Sequence, residues 1–322
     1  MVIILFKTNL NGDSMTYVPY RDTPLLIPSH LRVVSVDDKN IALHEQNLNE
    51  FSQNPTIEMV MSIYGSGLMD VLTNERYISL DGNKKLGLKF KRSRNPDADA
   101  TRLLGSIAEA LIVQACNNNK ELNKVMLGHA RGKGTRTSSA IADRYIAIAT
   151  GSQQTFLNFG HYYNPCDTQR DIIWVDKNDP ELQANSIVKG RFTSIKPAGL
   201  QIKTSHNFKN VVGTFKKYHY PIIYFDLNND WHEAFMYVTF ENMANPNANL
   251  YLVPHDDAIL HLKQRLRGYF SIVSALMRDE ISIEQIISHA KYNGDVVLSS
   301  IDSTAGDDSA DVIITPIDKD KR

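Results

Sequence analysis

The chain has 322 residues, 42% hydrophobic and 22% charged, which excludes disordered and fibrous classes and suffices for one large domain or two ordinary ones. A formal net charge of -1 supplies no global field toward nucleic acid, so any polyanion must be held by local patches. No apolar run approaches the roughly 20 residues of a membrane helix. Two cysteines, Cys116 and Cys166, lie in no metal-ligand spacing, as expected of a cytoplasmic protein with inert thiols and no membrane partner.

The apolar run at 2–6 predicts a first strand, and alternation at 31–36 predicts another. Two alternating runs at 76–80 and 86–90 flank Asp81-Gly82-Asn83, a strong hairpin signal. The second arm carries Lys89, Lys91, Arg92 and Arg94 with no acid among them. That composition suits a solvated edge guarded by lysines or a ribbon that contacts phosphates.

After Asn95-Pro96-Asp97, the residues Leu103, Leu104, Ile107, Ala108, Leu111, Ile112 and Ala115 recur at helical spacing. They predict a helix from Asp97 or Asp99 to Cys116. Glu109 lies on the flank of its apolar stripe, placed for a surface ion pair or for a site at a helix-sheet junction. Gly128 to Ser138 has glycines and lysine but fails the phosphate-loop spacing. It leaves a basic loop with Arg131, Lys133 and Arg136, capped by Thr137 or Ser138, and a predicted helix through Ile141, Tyr145, Ile146 and Ile148 to Ala149. Such a loop at a helix N-terminus suits a phosphate.

Residues 150–170 read as a polar and aromatic loop, 171–176 as a strand bracketed by Asp171 and Asp176, and 186–195 as a short strand. In Ala198-Gly199-Leu200-Gln201-Ile202-Lys203-Thr204-Ser205, alternation sets Gln201 and Lys203 on one face and Leu200 and Ile202 on the other. A helix over 207–218, a buried strand over 221–226, and helices to about 290 follow. The predicted division is an N-terminal β-rich region over 1–95, an α/β core over 96–232, a helical region over 233–292 and an acidic tail over 293–322. His255, Asp256, Asp257 and His261 have the letters of a metal site, but their spacing favours a helix cap.

A helical Glu109, Asp171 before Ile-Ile-Trp-Val, and Gln201-x-Lys203 followed by a helix and a buried strand make residues 97–226 resemble one family. It is the restriction-endonuclease-like PD-(D/E)XK nuclease superfamily, in its Q-x-K form. The resemblance implies an α/β fold with a mixed central sheet flanked by helices. It implies a metal-dependent DNA endonuclease, in restriction or defence, that works as a homodimer, with the helix around Leu266 to Met277 as a candidate interface. Asp171 would be the principal ligand of Mg²⁺, with Mn²⁺ as substitute. Gln201 would lend an amide oxygen where most relatives carry an acid, Glu109 would complete the shell, and Lys203 would orient or deprotonate the attacking water. Asp167, Asp176 and Asp179 are rivals to Asp171. Two other readings stand beside this one. The first is a catalytically weakened nucleic-acid-binding or assembly protein on the same fold, for which the neutral Gln201 argues. The second is an unrelated α/β enzyme in which Gln201 and Lys203 belong to a plain edge strand.

Overall fold

Residues 32–36, 42–47 and 54–289 are described by the computed structural model, except 81–85, 133, 135, 168, 188–195 and 218–219. The predicted strand at 2–6, most of that at 186–195, and the acidic tail lie outside the described residues. The chain forms two compact units, one of residues 1–100 with 264–322 and one of residues 101–263. Among the described residues, no helix is long and apolar enough to cross a membrane.

In the first unit, β1 (Arg32–Val36) and β2 (Ala42–Asn47) pair antiparallel. They are followed by α1 (Ile57–Asn74), capped by the Thr56 hydroxyl, which accepts from Met59 N at 3.4 Å. Helix α1 was not among the elements expected from the sequence. Met59, Val60, Met61, Ile63, Leu68 and Leu72 are all buried, and a helix apolar on most sides shows no polar stripe to mark its period. The predicted hairpin is present, as β3 (Ile78–Leu80) and β4 (Leu86–Leu88) in antiparallel register from Ile78↔Leu88 to Leu80↔Leu86.

Helix α2 (Pro96–Asn118) leads into the second unit and buries the predicted stripe of Leu103, Leu104, Ile107, Ala108, Leu111 and Ile112. Helix α3 (Lys120–Arg131) then takes in the start of what was expected to be a basic loop. Ser138 caps the short helix α4 (Ser139–Arg144), accepting from Ile141 N at 3.3 Å.

The helix expected to reach Ala149 stops at Arg144, and β5 (Tyr145–Ala149) is a strand. Two partners override the helical reading. Along one edge β5 pairs over its whole length with β6 (Ile172–Asp176), from Tyr145↔Asp176 to Ala149↔Ile172. Ala147 also exchanges two bonds of 2.9 Å with the Asn117 side-chain amide, which acts as a short neighbouring strand. Buried Asn123 fixes the switch point. Its Nδ2 donates to Ala142 O and Tyr145 O at 3.1 Å, and its Oδ1 accepts from Trp174 Nε1 at 2.7 Å, so every polar atom of the amide has a partner.

The segment read as loop after β5 contains α5 (Gln153–Asn158) and a 3₁₀ turn, Gly160–Tyr162. Next come β7 (Gln201–Ser205), α6 (Lys209–Lys217), β8 (Ile222–Asp226), α7 (Trp231–Ala244) and α8 (Asp257–Met277). The start of β6 bridges Leu200 in antiparallel sense, with Ile172 N to Leu200 O at 3.0 Å and Leu200 N to Ile172 O at 2.9 Å. Strands β7 and β8 run parallel, Gln201↔Ile222 to Ser205↔Asp226. Every residue of β8 is buried, as a strand covered on both faces requires. Val211 and Phe215 of α6 and Ala234 and Val238 of α7 pack with Ile222, Tyr224 and Leu252. On α2, Thr101 O accepts from Thr204 Oγ1 at 3.4 Å, which sets that helix against β7.

Candidate active site

Asp171 stands immediately before β6 and is pinned on both sides of its backbone. Thr150 N donates to Asp171 O at 2.8 Å, and Asp171 N donates to Leu200 O at 2.9 Å. At this point β6 has not begun, so Ile202 N on β7 finds no strand carbonyl opposite. The Asp171 carboxylate takes that place, accepting from Ile202 N at 2.7 Å through Oδ2. The same oxygen accepts from Gln201 Nε2. Gln201 is 2% exposed, and its other atom, Oε1, is buried with no hydrogen-bond partner.

Lys203, two residues along the same face of β7, is half-buried. Burial holds its ammonium below the usual lysine range, against the opposing pull of Asp171 and Glu109; Lys217 adds to the depression. Glu109, half-buried on α2, has Oε2 at 3.9 Å from where a Cβ on Gly151 would stand. Burial pushes the Asp171 carboxyl up to about 6, the Lys203 charge and the bonds from Ile202 and Gln201 hold it down, and the nearby Asp167 charge raises it further. Asp171, Gln201, Lys203 and Glu109 therefore gather where β7 meets the mouth of β6 and the flank of α2.

Of the rival acids, Asp176 and Asp179 lie elsewhere, while Asp167 is near Asp171 but engaged by Arg170. Asp176 is at the far end of β6, where it accepts from Arg144 Nε and from Asn178 N at 2.9 Å. Asp179 caps its own turn, accepting from Glu181 N at 3.2 Å. Asp167 pairs with Arg170 at 3.7 Å. Asp256 caps α8, accepting from Ile259 N at 2.9 Å. His255 turns instead into a buried cluster, with Nε2 at 2.8 Å from Tyr224 O and Lys263 Nζ at 2.9 Å from Asp226.

The basic residues are divided between the two units. In the first unit Lys89, Lys91 and Arg94 are exposed, while Arg92 donates to Asp279 at 2.7 Å. In the second, Arg131 Nε donates to Asn185 O at 3.3 Å, Arg136 is exposed, and Lys133 lies outside the described residues. A different cationic group was not legible in the sequence. Arg170 and Lys196 both lie over the Tyr220 ring, at 5.7 and 4.1 Å from its centre. The signal for Arg170 was its place directly before Asp171. Lys196 and Tyr220 carried none, because the contact joins three separate segments.

Among the described residues, no group of three or more His, Cys, Asp or Glu side chains is placed to hold a metal ion. The donors at the site are of another kind, two carboxylates and one amide oxygen, the hard set that suits Mg²⁺ or Mn²⁺. The orphaned Gln201 Oε1 is the atom that fits such an ion. No protein-family model matches the chain, and no curated protein or solved structure shows significant similarity to it.

Proposed function

We propose that the protein is a metal-dependent phosphodiesterase that cuts DNA, built on a restriction-endonuclease-like core in the second unit. The observation that carries this reading is the gathering of Asp171, Gln201, Lys203 and Glu109 around one end of the β6–β7 junction, with Gln201 Oε1 left unbonded. The order of elements adds support. A helix bearing Glu109 precedes three successive antiparallel neighbours, and β7 is followed by a helix and a parallel buried strand.

Asp171, Gln201 and Glu109 would hold a divalent cation, which when bound neutralises charge on the phosphate and acidifies water. Asp171 has Oδ2 committed to Ile202 and Gln201, so Oδ1 is the oxygen left for a ligand. Lys203 places a cation beside both acids without entering the ligand set. Its ammonium orients the attacking water and meets the negative charge that grows on the phosphate oxygens. Burial lowers its proton affinity, which brings it nearer the range where it takes a proton from that water. Hydrolysis then forms a bond from water oxygen to phosphorus and breaks one ester P–O bond, with the leaving oxygen taking up a proton.

A second reading, a weakened nucleic-acid-binding or assembly protein, is favoured by one observation: Gln201 commits its Nε2 to Asp171 Oδ2 and brings a neutral amide where a carboxylate would add charge for a cation. One assay separates the two. Purified protein is incubated with plasmid and Mg²⁺ or Mn²⁺ beside Asp171→Ala and Lys203→Ala. The nuclease reading expects metal-dependent nicking that both variants lose. No cleavage by wild type with either metal, or equal cleavage by the variants, rejects it, and salt-dependent DNA binding without cleavage selects the second reading.

A further inference from the structure

The segment between β5 and β6 has two aromatic faces. Phe159 and Tyr162 pack inward against Ile148, Ile173 and Val175 of the β5–β6 pair. Phe156 and Tyr163 turn outward, 53% and 36% exposed, with their rings edge to face at 5.1 Å. Leu157 beside them is 48% exposed. The inward pair anchors the segment, so the outward pair is displayed on a fixed base.

Both roots of the segment are tied to the candidate active site. At its start, Gly151 lies beside Glu109 Oε2. At its end, Arg170 O, directly before Asp171, accepts from Thr150 Oγ1 at 2.8 Å, and Asn164 N donates to Thr150 O at 2.8 Å. Arg170, which directly precedes Asp171, shares the Tyr220 ring with Lys196. Aromatic faces for bases, on a segment whose end carries a cation for phosphates, suit an unpaired nucleic-acid strand, because each of its bases offers a free face. In a duplex those faces are already stacked on one another.

We propose that Phe156 and Tyr163 form a stacking platform for unpaired bases, and that the substrate of the adjacent site is single-stranded DNA. The inference rests on the nuclease reading for the chemistry of the site, but stacking is measurable without cleavage. Full-length protein is titrated, in EDTA, into an oligodeoxynucleotide carrying 2-aminopurine, and into the same strand paired with its complement. Quenching that saturates, with the single strand bound more tightly than the duplex, is expected. Phe156→Ala with Tyr163→Ala should weaken that binding by about tenfold at an unchanged melting temperature, and Phe156→Tyr should restore most of it.

Equal affinity for duplex and single strand, or quenching that survives the double substitution, overturns the proposal. Tighter binding to an RNA strand of the same sequence overturns the assignment to DNA. A concentration-dependent dimer that the double substitution dissolves assigns the surface to a second copy of the chain and overturns it as well. Stacking without cleavage in Mg²⁺ or Mn²⁺ upholds the platform and rejects the nuclease reading alone. Cleavage whose strand preference ignores the double substitution does the reverse.

Discussion

Gln201 and Asp171 meet through one end of an amide: Gln201 Nε2 donates to Asp171 Oδ2, while Gln201 Oε1 is buried with no hydrogen-bond partner. An unpaired buried acceptor costs about 1–3 kcal/mol, and an amide oxygen is a competent ligand for a hard cation. Gln201→Glu removes the donor to Asp171 and sets two carboxylates against each other, so one must hold a proton or the fold loses stability. The variant should melt below wild type in EDTA and gain more from Mg²⁺ or Mn²⁺, since a second charge then meets the ion. Thermal melts with and without metal decide this. An equal metal response in both proteins removes Gln201 from the ligand set.

Asp171 carries a stability cost that its proposed role explains. Its carboxyl rises from the ordinary 3.8 to about 6, so between those values the folded chain holds the proton that the unfolded chain has released. The stability this group contributes is full below about 3.8 and is lost as pH rises through about 6. Asp171→Asn keeps acceptors for Ile202 N and Gln201 Nε2 but carries no charge. It should be more stable than wild type at pH 7.5 by on the order of 2 kcal/mol, a difference that shrinks toward zero as pH approaches 4, and it should lose cleavage. Urea titrations across this range measure the gap. A gap of constant size, or no gain at pH 7.5, contradicts burial of the charge as the cause.

Much of this site was legible because alternation along a strand is a local property. The spacing of Gln201 and Lys203 alone puts both on one face of β7, and the helical period places Glu109 beside the buried stripe of α2. What was hidden depends on partners. Tyr145 to Ala149 carries three residues compatible with a helix stripe, and only pairing with β6 and with Asn117 makes it a strand. Helix α1 was hidden by being apolar on nearly every side. The choice between Asp171 and Asp176 turned on strand direction, which appears only when Ile172 is seen to bridge Leu200.

Asp176 has the environment of a structural acid. It is 1% exposed, accepts from Arg144 Nε and from the backbone of Asn178 and Asp179, and is held below the usual carboxylate range, first by the Asn178 bond and then by Arg144. A depressed carboxylate stabilises the fold above its ordinary value of 3.8, and that contribution is lost as pH falls through the folded value. Asp176→Asn should lower the urea midpoint at neutral pH and leave the cleavage rate per folded molecule unchanged. Loss of cleavage with an unaltered midpoint would exchange the roles of Asp176 and Asp171.

Gly199 permits a close approach that no side chain allows. A Cβ there would stand 2.6 Å from Arg170 Cδ, 2.8 Å from Arg170 Cγ and 3.1 Å from Ile172 O. Arg170 would have to leave Gln183, to which Nη1 donates at 2.9 Å, and the Tyr220 ring. Gly199→Ala should cost about 1–3 kcal/mol in urea denaturation and slow cleavage, because Asp171 directly follows Arg170. A variant as stable and as active as wild type would show that the Arg170 stem moves freely and positions nothing.

His255 should make the fold acid-sensitive in a window of its own. Its imidazole is pushed from the ordinary 6.5 down to about 4, chiefly by burial, with the Tyr224 carbonyl, Asp226 and Asp256 opposing and Lys263 assisting. The folded chain therefore resists a proton that the unfolded chain accepts. Stability from the neutral ring is full above about 6.5 and drains away as pH falls from there to about 4, by on the order of 2 kcal/mol. His255→Gln, which retains a donor for Tyr224 O, should be the less stable protein at pH 7.5 and lose less on acidification to pH 4.5. Urea midpoints of the two proteins at both pH values check it. Parallel losses would place the acid sensitivity outside the His255 ring.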